Sequence, residues 1–162
     1  MDIISQNDIL EFDNFELIEN KLNYILPSGE KVDVIIETCI LRLQEINSED
    51  NFKSNLVFLY KSENLSNRRF LQRMYFIENL ISKLLNNQKG ITTNISKDKT
   101  VKFFITENTK FFKNNQSYEP VRCDIKSLYK NALCKCLIKL LPLENENGNY
   151  LYKLELLELI IS

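Results

Sequence analysis

The sequence predicts a mainly β protein with one long helix, an α+β fold whose antiparallel strands form a barrel, an open barrel or a sandwich. Most apolar residues follow the two-residue period of a strand, and only one segment follows the helical period. Consecutive strands with short connections favour an antiparallel sheet. The 162 residues fit a single domain, 1–162, with an acidic N-terminal segment, 1–26, and an inserted helix at about 66–87.

The strands are predicted from alternation and from β-branched content. Residues 15–26 show no clear period, whereas residues 31–46 have the β-branched content of a long strand. Further strands are predicted at 55–60, 101–106, 109–113, 121–125, 132–141 and 150–161. We expect a tight hairpin across Glu107 and Asn108, between two of these strands.

The helix is predicted from apolar residues that recur at helical spacing. Its apolar face consists of Phe70, Met74, Ile77, Ile81 and Leu84. Ser66 is the predicted N-cap, because a side-chain oxygen there accepts from an unpaired backbone N–H group. Gly90 is the predicted stop.

The charges are separated along the chain, although the net charge is only −1. Residues 1–60 carry 4 basic and 12 acidic side chains, whereas residues 61–139 carry 16 basic and 6 acidic ones. Residues 140–162 carry 1 basic and 4 acidic side chains. A continuous basic half produces a local positive field that the net charge conceals, and such a field favours a polyanionic partner.

Catalysis finds little support in the residue types. The chain has no histidine, which is the commonest general acid–base and the usual partner of a nucleophile. It also contains no phosphate-binding loop, no dinucleotide-binding glycine turn and no H-E-x-x-H motif. We therefore expect a protein that is not an enzyme, with no catalytic residue and no cofactor.

The four cysteines do not have the spacing of a structural zinc site. Only Cys134 and Cys136 are close, as C-x-C, and alternate strand residues share a face, so both are expected to be small buried side chains. We predict no metal and no redox role. The sequence shows no secretory signal and no apolar run that could span a membrane, so we expect a cytoplasmic protein without a membrane partner.

Residues 102–130 combine aromatic rings with cations. Single-stranded nucleic acid is bound by that combination, because rings stack on bases and ammonium groups contact phosphates. The predicted nucleic-acid-binding residues here are Lys102, Phe103, Lys110, Phe111, Lys113, Tyr118, Arg122, Lys126 and Tyr129. Adjacent strand residues point to opposite faces, so at most one ring of each Phe pair is exposed on a given sheet face. Burial of all four rings, Phe104 and Phe112 included, is the alternative.

A second basic cluster lies near the start of the predicted helix. The cluster consists of Arg68, Arg69 and Arg73. Positive charge at this end of a helix is unfavourable, because the helix dipole favours negative charge in the first turn. We predict Arg69 and Arg73 as further phosphate contacts. A solvated helix face explains the cluster equally well.

The strand pattern of residues 109–161 carries a family resemblance. It rests on TKFFK at 109–113, SLYKNALCKCLI at 127–138 and LYKLELLELII at 151–161. These segments resemble the closing strands of single-stranded DNA-binding proteins of large cytoplasmic DNA viruses and of yeast cytoplasmic linear plasmids. The AT-rich genomes of those plasmids suit the Asn and Lys bias of this chain.

That family is similar to OB-fold proteins, so the resemblance implies an OB-like five-stranded barrel with a helix between strands three and four. It also implies a role in DNA replication. Because small barrels use glycine to turn corners and this chain has only 3 glycines, a more open sheet is the alternative to a closed barrel.

We therefore predict that the protein binds single-stranded DNA, largely without sequence specificity, in support of DNA replication. RNA is left open as a ligand, as are self-association into a homo-oligomer and a replication protein partner. The alternative is a non-enzymatic interaction or structural subunit of a replication, transcription or virion assembly. Such a subunit would dock through its acidic N-terminal third and its apolar final strand.

Overall fold

The computed structural model describes residues 1–47, 54–59, 65–86, 91–94 and 99–162. Within these residues the strands are β1 (Phe15–Ile18), β2 (Lys21–Ile25), β3 (Lys31–Asp33), β4 (Ile35–Asn47), β5 (Asn55–Leu59), β6 (Ile91–Thr92), β7 (Thr100–Phe104), β8 (Lys110–Asn114), β9 (Pro120–Cys123), β10 (Leu133–Leu140), β11 (Glu144–Glu146), β12 (Asn149–Leu151) and β13 (Leu154–Ile161). The one α-helix among the described residues, α1 (Leu65–Leu84), lies between β5 and β6. The predicted fold class, mainly β with one long helix, is confirmed.

Five of the strands close a barrel. β4 pairs with β5, β5 with β7, β7 with β13, β13 with β10, and β10 returns to β4. β13 runs parallel to β7, whereas the other four pairings are antiparallel. This connectivity is that of an OB-like barrel, a five-stranded Greek-key barrel.

Bulges take the place of glycines in bending the barrel strands. On β4, Thr38 and Cys39 together face the single residue Cys136 of β10, and Gln44 is an extra residue against β5. On β13, Leu157 is an extra residue against β10. An extra residue increases the local bend and twist of a strand. The barrel therefore closes although the chain is poor in glycine.

The helix lies between the second and third barrel strands, not between the third and fourth as the resemblance implied. It starts at Leu65, one residue before the predicted N-cap Ser66, and the predicted stop Gly90 lies outside the described residues. Asn86, with a φ of 60°, takes the left-handed conformation just after the helix. No helix in the described ranges is long and apolar enough to cross a membrane.

The predicted hairpin between residues 101–106 and 109–113 is wrong. β7 and β8 lie one after the other along the same edge of β13, with Phe104 opposite Glu155 and residues 110–113 opposite 158–161. A turn is present, but the hydroxyl of buried Thr109 donates to the carbonyl oxygen of Leu156 at 2.7 Å, which ties the chain to β13. β8 forms its hairpin with β9 instead.

Residues 15–26, which showed no clear period, form the hairpin of β1 and β2. Glu19 and Asn20 at its turn have φ angles of 49° and 65°, both positive as in a type I′ turn. β3 completes this three-stranded sheet. Phe15 and Leu22 are buried and belong to the same hydrophobic core as the barrel.

The hydrophobic core joins the helix to the barrel. Phe70, Met74, Ile77 and Ile81 of the predicted helix face are buried, and Leu84 packs against the core. β13 pairs along both edges and buries alternate residues, so it is not a free apolar strand for a partner. The structure therefore does not favour this strand as the docking segment of the alternative function.

The cysteines on β10 are buried, as predicted. Cys134 and Cys136 are 0% and 1% exposed and lie in the barrel interior beside Cys39. Burial raises the pKa of the thiols of Cys39 and Cys134 to about 12, so both stay protonated at neutral pH. In the described part of the chain, no group of three or more Cys, Asp or Glu side chains is arranged to hold a metal ion.

Candidate nucleic-acid interface

A groove of about 630 Å³ crosses the outer face of β5 and β7. Its floor consists of Val57, Thr100, Lys102 and Phe104, and Val57 lies directly opposite Lys102 across the two strands. One side is formed by the end of β4, with Gln44, Glu45 and Asn47. The other side is formed by Thr93, Asn94, Leu151, Tyr152 and Lys153.

The groove brings cations and an aromatic ring together. Lys102 is exposed, and Phe104 is half-buried on the same strand face. The Nζ atom of Lys153 lies 5.4 Å from the centroid of the Phe104 ring and 3.3 Å from a carboxylate oxygen of Glu144. This arrangement suits a ligand that carries both flat rings and negative charge.

Hydrogen bonds to helix α1 fix the far side of the groove. The hydroxyl of Tyr152 donates to the Glu78 carboxylate, and the Thr93 hydroxyl donates to the same oxygen at 2.7 Å. The side-chain amide of Asn94 donates to the carbonyl oxygen of Tyr152 at 2.7 Å. Burial, together with the Glu78 carboxylate, raises the pKa of Tyr152, so the hydroxyl remains a donor. The groove wall is therefore held in place before any ligand binds.

β8 and β9 form a hairpin that continues the outer face of β7, and we call residues 110–123 the β8–β9 arm. In the parallel ladders with β13, Phe104 lies opposite Glu155 and Phe112 opposite Ile160. Glu155 and Ile160 are half-buried, whereas Leu159 between them is fully buried. Paired residues of neighbouring strands point to the same side of a sheet. Phe104 and Phe112 therefore both lie on the outer face.

The β8–β9 arm also carries cations and an exposed tip. Arg122 lies opposite Phe112, and its guanidinium carbon is 5.7 Å from the ring centroid. At the tip, Asn115 Oδ1 accepts from the backbone N–H groups of Ser117 and Glu119, each at 2.9 Å. This turn holds Tyr118 at a φ of 58° with 87% of its surface exposed.

The structure distributes the exposed predicted residues over three adjoining segments. Lys102 lies in the groove. Four lie on the β8–β9 arm: Lys110, Lys113, Tyr118 and Arg122. Lys126 and Tyr129 are exposed in the segment that leads from the arm to β10, where Asn131 donates to the carbonyl oxygen of Leu43.

Two of the predicted rings lie in the core. Phe103 is 0% exposed, with its ring centroid 5.2 Å from that of Phe58, and Phe111 is 7% exposed. Neither ring can stack on a base, so their prediction as binding residues is wrong. Phe104 and Phe112 are the members of each pair that face outward. The outward positions of Phe104 and Phe112 could have been predicted from Lys102 and Lys110. A charged strand residue points to solvent, and the residue two positions further along shares its face.

The predicted arginines of the helix lie away from the groove. The guanidinium of Arg73 donates to the backbone carbonyls of Ser5, Gln6 and Asp8 at 3.2, 3.3 and 2.8 Å. Burial lowers the pKa of Arg73, an effect that the Asp8 charge opposes. One of its nitrogens, Nη2, is thus engaged within the protein, where it holds the N-terminal segment, which disfavours the predicted phosphate contact.

Arg69 of α1 is exposed, but it lies beside a different part of β4 from the groove. It lines a small cleft with Gln6 and Glu37, whereas the groove begins at Gln44. Gln44 lies seven positions after Glu37 on β4, which is roughly 23 Å at about 3.3 Å per residue. The structure does not bring Arg69 to the groove.

The fold has counterparts among solved structures. It is similar to the single-stranded DNA-binding protein from bacteriophage Enc34 in complex with single-stranded DNA, with a TM-score of 0.54 and 10% identity over 91% of this chain and 92% of that one. It is also similar to gp2.5, a single-stranded DNA-binding protein encoded by bacteriophage T7, with a TM-score of 0.60 and 10% identity over 80% and 86%. No protein-family model and no curated protein sequence matches the chain.

Identities this low establish the fold alone. Both counterparts are phage proteins, so the expected origin in a large cytoplasmic DNA virus or a yeast plasmid stays a prediction.

Proposed function

We propose that the protein binds single-stranded DNA without catalysis, largely irrespective of base sequence, and acts in DNA replication. The observation that carries the proposal is the groove on the outer face of β5 and β7, which the β8–β9 arm continues. In OB-type barrels, this face and the loops beside it bind oligonucleotides. Two counterparts of the fold are themselves single-stranded DNA-binding proteins, which supports the same ligand class.

On this surface the aromatic rings would contact the bases and the cations would contact the phosphates. Phe104, Phe112 and Tyr118 offer aromatic surface to unpaired bases, and each stacked base contributes on the order of 1–3 kcal/mol. Stacking uses the π-face that every base has, so it does not select a sequence. The phosphates would be contacted by Lys102, Lys110 and Arg122 on the same face and by Lys126 beyond the arm. Lys113 follows Phe112 on β8, so it points to the opposite face of the arm. Tyr129, exposed beyond the arm, would extend the aromatic surface.

Fluorescence anisotropy with labelled oligo-dT, oligo-rU and duplex DNA tests the proposal. Single strands should bind more tightly than a duplex of equal length, because stacking requires unpaired bases. If three or four cations contact phosphates, log affinity should fall against log salt with a slope of about −2 to −3, at ~0.7 per neutralised charge. Equal or tighter duplex binding would contradict the proposal, and tighter binding of oligo-rU would assign the site to RNA.

Lys102→Ala and Lys135→Ala form a matched pair for the location of the site. Lys102 lies in the groove, whereas Lys135 is on β10 in an ion pair with Glu37 at 2.9 Å. Lys102→Ala should weaken binding several-fold and flatten the salt slope by about 0.7, and Lys135→Ala should change neither. Equal losses in the two variants would show that binding depends on overall charge and not on the groove.

A further inference from the structure

The outer face of β7 and β8 presents the same arrangement twice. Lys153 Nζ covers the ring of Phe104 at 5.4 Å from its centroid, and the Arg122 guanidinium covers the ring of Phe112 at 5.7 Å. The two cations come from different elements, the segment before β13 and the strand β9. Each ring thus has a cation on a flexible side chain over a surface on which a base could stack.

We propose that these two ring–cation pairs are successive stations for one DNA single strand, and that each cation moves from its ring to a phosphate when a base stacks there. The inference rests on the proposed function and names how the strand is held. An exposed cation–π contact contributes about 0.5–1 kcal/mol, whereas a stacked base contributes about 1–3 kcal/mol. Lys153 also gives up its exposed ion pair with Glu144, which contributes at most about 1 kcal/mol. The exchange is favourable because the stacked base offsets these losses and each displaced cation gains a phosphate partner.

The register on β13 gives the distance between the stations. Phe104 lies opposite Glu155 and Phe112 opposite Ile160, five residues further along the strand. At about 3.3 Å per residue, with the bulge at Leu157 shortening the path, the two stations are roughly 15 Å apart. A stacked strand advances about 3.4 Å per nucleotide, so about four to five nucleotides separate the two bases. An oligonucleotide of three nucleotides can occupy one station but not both.

Oligo-dT of different lengths distinguishes one station from two. On a trinucleotide, Phe104→Ala or Phe112→Ala alone should weaken binding no more than about twofold, because the other station remains. On a 12-mer, each single variant should lose about tenfold, the effect of one stacked base. The double variant should lose most of its affinity for the trinucleotide, because only the exposed rings of Tyr118 and Tyr129 remain for stacking. Additive losses at every length, or no loss for one variant on the 12-mer, would overturn the two-station arrangement.

Salt dependence on the 12-mer tests the movement of the cations. Arg122→Gln and Lys153→Gln should each flatten the slope by about 0.7, because each removes one phosphate contact, whereas Phe112→Ala should leave the slope unchanged. Lys135→Gln, a lysine outside the surface, is the control. An unchanged slope in both Gln variants would show that the cations stay on their rings, which overturns the exchange.

Two further measurements distinguish a failure of the two-station arrangement from a failure of the proposed function. Phe112→Leu keeps most of the packing and removes the aromatic face, so a binding loss with an unchanged circular dichroism spectrum is attributable to stacking. If the wild-type protein binds no single strand in the anisotropy experiment, the proposed function itself is wrong. If it binds and Phe112→Leu retains full affinity for the 12-mer, only the station at Phe112 is wrong.

Discussion

The start of helix α1 and the outer face of β7–β9 are both basic in sequence, but the folded protein uses their charges differently. Arg73 on the helix donates to three backbone carbonyls of the N-terminal segment. Lys102 and Lys110 on the strands are exposed on that face, and the described part of the chain offers them no ion-pair partner. A cation in a sequence therefore indicates an external anion only where the fold supplies no acceptor of its own.

The same contrast separates adjacent residues of one strand. Phe103 is enclosed in the barrel beside Phe58, whereas Phe104, one residue on, forms part of the groove floor. The two residues are chemically identical, and the pleat of the strand alone assigns one to stability and the other to the ligand. Substitutions that separate stability from binding test this contrast directly.

Phe103→Ala should have the largest effect. Removal of a fully buried ring leaves a cavity in the core and costs about 3–5 kcal/mol of the free energy of unfolding. Phe104→Ala should cost far less stability and should instead weaken binding of single-stranded DNA. Urea denaturation followed by circular dichroism measures the first effect, and anisotropy the second. Equal destabilisation by the two substitutions would show that both rings are structural.

Arg73→Ala should have the next largest effect, and on stability alone. It removes a charged donor from three carbonyls, and hydrogen bonds to charged groups contribute about 1.5–3 kcal/mol. Arg68→Ala on the exposed side of the same helix is the control, with a change within about 0.5 kcal/mol. DNA affinity should be the same in both variants. A weakened affinity in Arg73→Ala at full folding would return this arginine to the binding surface.

Lys110→Ala and Arg69→Ala compare the two basic regions in binding. Lys110 lies on the β8–β9 arm, and its removal should weaken single-strand binding several-fold and flatten the salt slope by about 0.7. Arg69 lies in the cleft by the N-terminal segment and should be neutral. Anisotropy at several salt concentrations measures both. A loss in Arg69→Ala would indicate that the strand also passes over the start of α1.

Asp33→Asn should have the smallest effect. A hydrogen bond from Lys21 at 2.5 Å, together with the Lys139 charge, lowers the pKa of Asp33. The folded pKa is depressed, so this contribution is present above the ordinary carboxyl pKa and is lost as the pH falls through the lowered value. The substitution should cost less than about 1 kcal/mol at neutral pH. Urea denaturation at neutral and acidic pH should show that the difference from wild type disappears in acid.

The features that could be predicted from the sequence are those that a local period determines. The apolar face of α1 and the buried side of β10, with Cys134 and Cys136, follow from spacings of a few residues. The placement of β8 was not predictable, because it depends on a hydrogen bond from Thr109 to Leu156, 47 residues away. The groove wall likewise depends on the contact between Glu78 and Tyr152, which are 74 residues apart.

The position of Lys153 over Phe104 is of the same non-local kind. Charge content alone could not have assigned it, because its segment of the sequence is acidic. The exposed rings, by contrast, were within reach of sequence reasoning, since the faces of Lys102 and Lys110 determine those of Phe104 and Phe112. The prediction of Phe103 and Phe111 as binding residues is wrong because it assigns the wrong member of each Phe pair to the exposed face of the strand.

The double pairing of β13 has a consequence for how the chain folds. β13 contacts β10 on one edge and both β7 and β8 on the other, so the barrel cannot close until this strand is in place. Pairings between distant segments form slowly, because the entropy of loop closure is lost before the contacts are gained. Until then, β7, β8 and β10 present unpaired edges that the β13 of another molecule can occupy equally well. We expect the yield of refolded monomer to fall as the protein concentration during refolding rises.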